Sequence, residues 1–93
     1  MYKLIASTQF KKDLKKIKNN KQDFLKVCKL LEILEEKGVS GIPKRMRLHR
    51  LNGQYKDKWE FHIKPDLLII CIQFDELNRI DLVRIGSHSK LFK

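Results

Sequence analysis

Residues 59–86 read WEFHIKPDLLIICIQFDELNRIDLVRIG, three strand-like runs separated by two turns. In the first run Trp59, Phe61 and Ile63 alternate with Glu60, His62 and Lys64, the period-two signature of a strand with one buried face. By that alternation His62 shares a face with Glu60 and Lys64 and points away from the apolar set. Lys64-Pro65-Asp66 is a turn. Residues 67–72 are continuously apolar and rich in β-branched side chains, as expected of a central strand covered on both faces. Asp75-Glu76-Leu77-Asn78 makes the second turn, and residues 80–85 supply a last strand that stops at Gly86.

Upstream, residues 2–6 are strand formers that end at Ser7-Thr8, where either hydroxyl can cap a helix. Phe10, Leu14 and Ile17 then recur at helical spacing, with Lys11, Lys12, Asp13, Lys15, Lys16 and Lys18 on the remaining faces. Asn19-Asn20 breaks the pattern and Asp23 is the expected cap of a second helix. Its stripe is Phe24, Val27, Cys28, Leu31 and Leu34, and Gly38 terminates it. Residues 41–53 form an irregular basic connector, with Pro43 near its start and no acidic residue between Lys37 and Asp57. The predicted order β-α-α-β-β-β makes an α+β fold: a small antiparallel sheet with the N-terminal helical hairpin packed on one face.

A chain of 93 residues is of single-domain length, so residues 1–93 are expected to form one domain, with enough of its 42% hydrophobic residues for one core. Against 21 Lys+Arg stand 11 Asp+Glu, a net charge of +10, which points to a polyanionic partner. Cys28 and Cys71 lie in apolar runs and are too few for a disulfide framework, so a reducing, cytoplasmic setting is expected. The N-terminal apolar run is short and charged at position 3, which is not a signal peptide. No stretch approaches the roughly 18 apolar residues of a membrane span, so no membrane partner is expected.

Three histidines, His49, His62 and His88, fall in the second half of the chain at edges of regular structure. Metal binding lacks its spacing: there is no HxxxH or HxH pair, and no carboxylate stands at a ligand offset from two histidines. Neither a metal nor another cofactor is expected. GxSxG, a glycine-rich phosphate loop and CxxC are also missing, which removes serine hydrolase, nucleotide-binding and thiol-redox chemistry. Metal-free cleavage of RNA needs a base for the 2′-hydroxyl, an acid for the departing 5′-oxygen and cations for the charge of the transition state. His49, His62, Asp66 and His88 are the candidates for moving protons. Arg84 and the cluster Lys44, Arg45, Arg47 and Arg50 are the candidates for holding phosphates, the cluster also being readable as a solvated basic loop.

The segments HRLNG (49–53), HIKPD (62–66) and RIGSHSKLF (84–92), at these separations, resemble the YafQ-like branch of the RelE/ParE superfamily, bacterial toxins of type II toxin–antitoxin pairs. The resemblance spans most of the chain and implies a RelE-like fold. It further implies a ribosome-dependent endoribonuclease (an mRNA interferase) that cuts mRNA in the ribosomal A site and is silenced by a cognate acidic antitoxin. It puts His49, His62, Asp66 and His88 at acid–base positions, with His88 as the proton donor, and Arg84 and Phe92 at substrate-contacting positions. Trp59 stands where many relatives carry Arg, a loss for which Lys58 or Lys64 would have to compensate. Two other readings belong to the same fold: a ParE-like gyrase poison, and a non-catalytic module that binds RNA or an antitoxin as a co-repressor.

Overall fold

The computed structural model describes residues 1–92. Its regular elements are β1 (Lys3–Ala6), α1 (Thr8–Ile17), α2 (Lys21–Lys37), β2 (His49–Arg50), β3 (Trp59–Lys64), β4 (Leu67–Phe74), β5 (Arg79–Gly86) and α3 (His88–Leu91). Short 3-10 turns at Gly38–Gly41, Lys44–Met46, Gly53–Tyr55 and Asp75–Leu77 join them. The α+β class and the helical hairpin are as the sequence predicts. The all-antiparallel sheet is not: five strands run in the order β1-β5-β4-β3-β2, and β1 pairs parallel with β5. Side-chain alternation reports which face of a strand is buried but is blind to its neighbour. Here the outer edge of β5 needs partners for its backbone groups, and β1 supplies them. The basic connector likewise contains a strand too short for periodicity to show, β2, which pairs His49 with Glu60 and Arg50 with Trp59.

Ser7 caps α1, its hydroxyl oxygen accepting from the Phe10 N–H at 2.9 Å. The same hydroxyl donates to the Val83 carbonyl of β5 at 2.9 Å, so one side chain both starts the helix and fastens it to the sheet. Ser7→Ala should therefore lower stability by about 1 to 2 kcal/mol, one lost cap plus one lost hydrogen bond. A thermal melt should show this as a shift of several degrees for a chain of this size. The second cap is Asn20 rather than Asp23: Asn20 Oδ1 accepts from the Asp23 N–H at 3.1 Å. Asp23 thus lies inside the first turn, where its charge meets the positive end of the helix dipole. Gly38 closes α2 with φ 70°, and a Cβ there would come within 2.7 Å of the Tyr2 ring, so both conformation and space demand glycine.

β4 is the central strand and is covered on both sides, as its unbroken apolar run predicts. Leu67, Ile69 and Cys71 join Phe10, Val27, Leu30 and Leu34 in the main core between sheet and hairpin. Leu68 and Ile70 face the other way and pack with Tyr55 and Leu91 in a second, smaller cluster flanked by Phe92 and Val83. Burial pushes the Cys71 thiol up to about 12, so this cysteine is an inert core residue. Opposite β4, a register shift leaves Val83 without a partner, since Ile70 pairs with Arg84 and Cys71 with Leu82. That bulge reverses the alternation of β5. Ile80 and Leu82 face the hairpin before it and Ile85 after it, which turns Arg84 to the opposite face.

Candidate active site

Pairing across the sheet brings distant residues into rows on the face away from the hairpin. One row runs His49, Glu60, Ile70, Arg84 over β2, β3, β4 and β5, and the next runs His62, Leu68, Gly86. His88, two residues beyond Gly86, opens α3. His62 and the start of α3 therefore flank Leu68 from opposite sides, with β3 and β5 about 10 Å apart at ordinary strand spacing.

The first group is His49, Glu60 and His62. Glu60 is 3% exposed, and one of its oxygens, Oε1, lies 3.3 Å from His49 Nε2 and 3.2 Å from His62 Nε2. The two imidazoles stand 6.5 Å apart between centroids. An ionised carboxylate only accepts, so the His62 nitrogen facing it carries the proton, and Nδ1 of the neutral ring is left as an acceptor. On His49 the geometry differs: Nδ1 lies 2.7 Å from the Arg47 carbonyl, which can only accept, so that nitrogen carries the proton and Nε2 meets Glu60 as a close contact at 3.3 Å. Arg47 holds that carbonyl in place from a left-handed backbone conformation, φ 55°. No carboxylate stands at a ligand offset from two histidines in the sequence, and it is β2–β3 pairing that brings Glu60 to both. Both imidazoles point at the same oxygen rather than at a common vacant point, and among the described residues no three His, Cys, Asp or Glu side chains form a metal-binding group.

The second group is Asp66, His88 and Phe92. Asp66, in the β3–β4 turn, accepts a long hydrogen bond from the His88 N–H at 3.4 Å. The His88 ring is exposed and lies against Phe92, 4.6 Å between centroids, and Phe92 in turn meets Tyr55 edge-on at 5.5 Å. Among the described residues no hydrogen bond reaches either ring nitrogen of His88. The ring is held by stacking and both nitrogens remain available to a substrate.

The expected phosphate-binding residues divide. Lys44, Arg45 and Arg47 are exposed on or beside the turn that precedes β2. Arg50 faces the other way: it lies over the Trp59 ring at 4.8 Å and 3.8 Å from Asp57, on the side of the sheet opposite His49. That contact does place a cation at Trp59, though the donor is Arg50 rather than Lys58 or Lys64. Lys64 does not share the His62 face, because a register shift between the two residues sends its ammonium to Asp23 of α2 at 2.9 Å. Arg84 is engaged too, with Nε and Nη2 donating to Asp13 at 2.8 and 3.1 Å. This pair keeps the Arg84 guanidinium raised above its ordinary value, with smaller help from Tyr55.

Glu60, Asp13 and Tyr55 were not among the residues singled out from sequence. The first two leave a trace there: Glu60 stands two positions before His62 on the same strand face, and Asp13 is a lone acid among the lysines of FKKDLKKIK. Tyr55 follows the Gly53 turn without any periodicity of its own.

Three comparisons bear on this arrangement. The family described as bacterial toxin of type II toxin–antitoxin system, YafQ, matches residues 2–93. The mRNA interferase toxin YafQ of Escherichia coli (strain K12) is 30% identical over 86 residues, covering 92% of this chain and 90% of that one. Among solved structures, YafQ in the E. coli DinJ–YafQ complex superposes with a TM-score of 0.85 at 27% identity over the full length of both chains. A metal-bound toxin from Helicobacter pylori superposes with a TM-score of 0.84 at 36% identity, covering 99% of this chain and all of that one. By match length, identity and fold alike, the chain belongs to the YafQ family of bacterial toxins of type II toxin–antitoxin systems.

Proposed function

We propose that this chain, acting as one domain over residues 1–93, is an endoribonuclease that cuts translated mRNA in the ribosomal A site. The observation that carries the reading is the convergence of His49, His62 and His88 on the sheet face left open by the helical hairpin, two of them sharing the buried carboxylate of Glu60. The similar E. coli toxin is named an mRNA interferase, which fits this chemistry.

In the reaction the 2′-oxygen attacks the adjacent phosphorus, the bond to the 5′-oxygen breaks, and a 2′,3′-cyclic phosphate and a 5′-hydroxyl result. His62, its Nε2–H turned to Glu60, is placed to take the 2′-hydroxyl proton on Nδ1, with His49 on the same carboxylate beside it. His88, free at both nitrogens, gives a proton to the 5′-oxygen. Asp66 orients the His88 backbone, and Phe92 offers the ring and a stacking surface for a base. Cations at Lys44, Arg45 and Arg47 hold the flanking phosphates. The available arm of Arg84 and, more remotely, Arg50 and Lys64 add to the field. No step passes through a metal ion.

The natural inhibitor is an acidic antitoxin, the counterpart of DinJ in the similar complex. With a net charge of +10, association with it should be fast and salt-sensitive. Among the described residues no helix is long and apolar enough to cross a membrane, and the cytoplasm, where translated mRNA lies, is the site of action. Primer extension on a reporter transcript tests the function. Induced toxin should produce cuts in phase with codons that disappear when the start codon is removed. Cuts that persist on untranslated RNA would exclude ribosome dependence, and the absence of cuts on either template would exclude the nuclease.

A further inference from the structure

The catalytic face continues into a trough that leads away from His62 around the end of the sheet. Its near half, about 380 Å³, is lined by His62, Lys64 and the Arg45–Arg47 turn. Its far half, about 340 Å³, lies between that turn and Lys26 and Lys29 of α2. Arg45, Met46 and Ile63 line both halves, so the two adjoin across that turn.

Charge distinguishes this trough from the groove on the other side of the site. Five cationic side chains line it, Lys26, Lys29, Arg45, Arg47 and Lys64, and no acidic residue does. Of the five only Lys64 is in an ion pair among the described residues. On the other side of the site a groove of similar size, about 340 Å³, lies beside Arg84 and Lys90, but Asp13 and Asp23 line it as well. A polyanionic strand leaving the reacting phosphate thus meets uncompensated positive charge in one direction and mixed charge in the other.

The floor of the trough narrows the class of ligand. Met46 and Ile63 are each 8% exposed and Leu30 is 4% exposed, so no large apolar side chain stands out into the depression as an anchor for an amphipathic protein segment. What it presents is charge at the ends of long side chains, which rewards regularly spaced phosphates. We infer that the trough carries the single-stranded message next to the cut, its phosphates running from His62 over Arg45 and Arg47 to Lys26 and Lys29. This rests on the ribonuclease reading for the identity of the strand, and it adds two residues on α2 and a direction of travel.

The test uses ribosomes programmed with a message that carries a 2′-deoxy residue at the cut, so that it binds without being cleaved, and 4-thiouridine one to four nucleotides to either side. Irradiation with wild-type toxin should cross-link the message, from one flank only, to peptides containing Arg45 to Arg47 or Lys26 to Lys29. Lys26→Ala combined with Lys29→Ala replaces two exposed helical residues by the best helix former, so the fold is preserved. The double variant should bind the programmed ribosome about tenfold more weakly, roughly threefold per lost cation. Its salt dependence should flatten by about 1.4 in the logarithmic slope, about 0.7 for each single-strand phosphate contact. Wild-type affinity and slope in the double variant would overturn the proposal. So would cross-links from neither flank, cross-links from the message to ribosomal RNA in place of those peptides, or a loss confined to binding of the antitoxin. Because binding and cross-linking are read on an uncleavable message, they report on the trough even if an ordinary message is left uncut, which would refute the nuclease alone.

Discussion

Replacing His88 by alanine should lower single-turnover cleavage on programmed ribosomes by about 10² to 10⁴, the usual cost of removing a general acid. The reason lies in how the three imidazoles are held. His62 engages Glu60 through Nε2 and His49 engages the Arg47 carbonyl through Nδ1, whereas the His88 ring is fixed by Phe92 at 4.6 Å and keeps both nitrogens for the substrate. His88 is exposed at the start of a four-residue helix whose buried anchor is Leu91, so the substitution leaves both cores intact. The variant should fold as the wild type does by circular dichroism and still load onto ribosomes. Glu60→Gln provides the comparison. It keeps the shape but loses the anionic acceptor that sets the His62 tautomer, and it should cost less than the loss of His88 and alter the pH dependence of cleavage. If folded His88→Ala cuts within about threefold of wild type, far short of a general acid's contribution, the proton donor is His62 or His49.

How far this site could be read from sequence depended on whether a residue acts through its own strand or through space. The three strands of residues 59–86 and both helices were legible because alternation and the 3.6 period report burial, although the second stripe was misdrawn: Val27 and Leu34 are buried together with Leu30, whereas Phe24 and Cys28 are only half-buried. The histidines were legible as groups able to move protons, and their spread along the chain hid only how close they lie. One placement was misread because of a bulge: alternation presumes an unbroken pleat, and the shift after His62 delivers Lys64 to Asp23 instead of the His62 face. A second bulge, at the unpaired Val83, sets the face of Arg84. A bulge leaves no periodic trace in so short a strand. Glu60 was visible on the His62 face, but its second partner, His49, reaches it only through β2, and two residues are too few to register as a strand. The parallel edge pairing of β1 was hidden for a related reason, since nothing in the residues 2–6 specifies which strand they join.

Asp13 carries the largest expected effect on stability. Its carboxylate is 8% exposed and accepts four hydrogen bonds: from Gln9 Nε2 at 3.1 Å, from Arg84 Nε and Nη2 at 2.8 and 3.1 Å, and from the Ile85 N–H at 3.1 Å. The last of these satisfies the edge of β5 just past the point where β1 ends, at Ala6 opposite Leu82. Removing one partner of a fully buried ion pair costs about 3 to 5 kcal/mol, but the Arg84 side chain is 24% exposed and can recover water. The orphaned Ile85 N–H cannot do so as easily, and Asp13→Ala should therefore cost about 2 to 3 kcal/mol, most of it from that amide and the lost charge-assisted bonds. For a chain of this size the melting temperature should fall by roughly 10 to 20 °C. Burial, the largest influence on the Asp13 carboxyl, pushes its pKa up, yet the hydrogen bonds from Arg84, Gln9 and the Ile85 amide together outweigh it and hold the group below its ordinary 3.8. A folded-state value below the unfolded one means stability that is fully present above pH 3.8 and lost as the pH falls through the folded value. Urea unfolding of wild type and Asp13→Asn should accordingly differ by a constant amount between about pH 5 and 7, and the gap should close as the pH is taken below the ordinary carboxylate range. A gap that stays open in acid would mean that Asp13 acts through shape alone. No gap at pH 7 would mean that Arg84 is free in solution, and its guanidinium would then be available in full to the substrate phosphate.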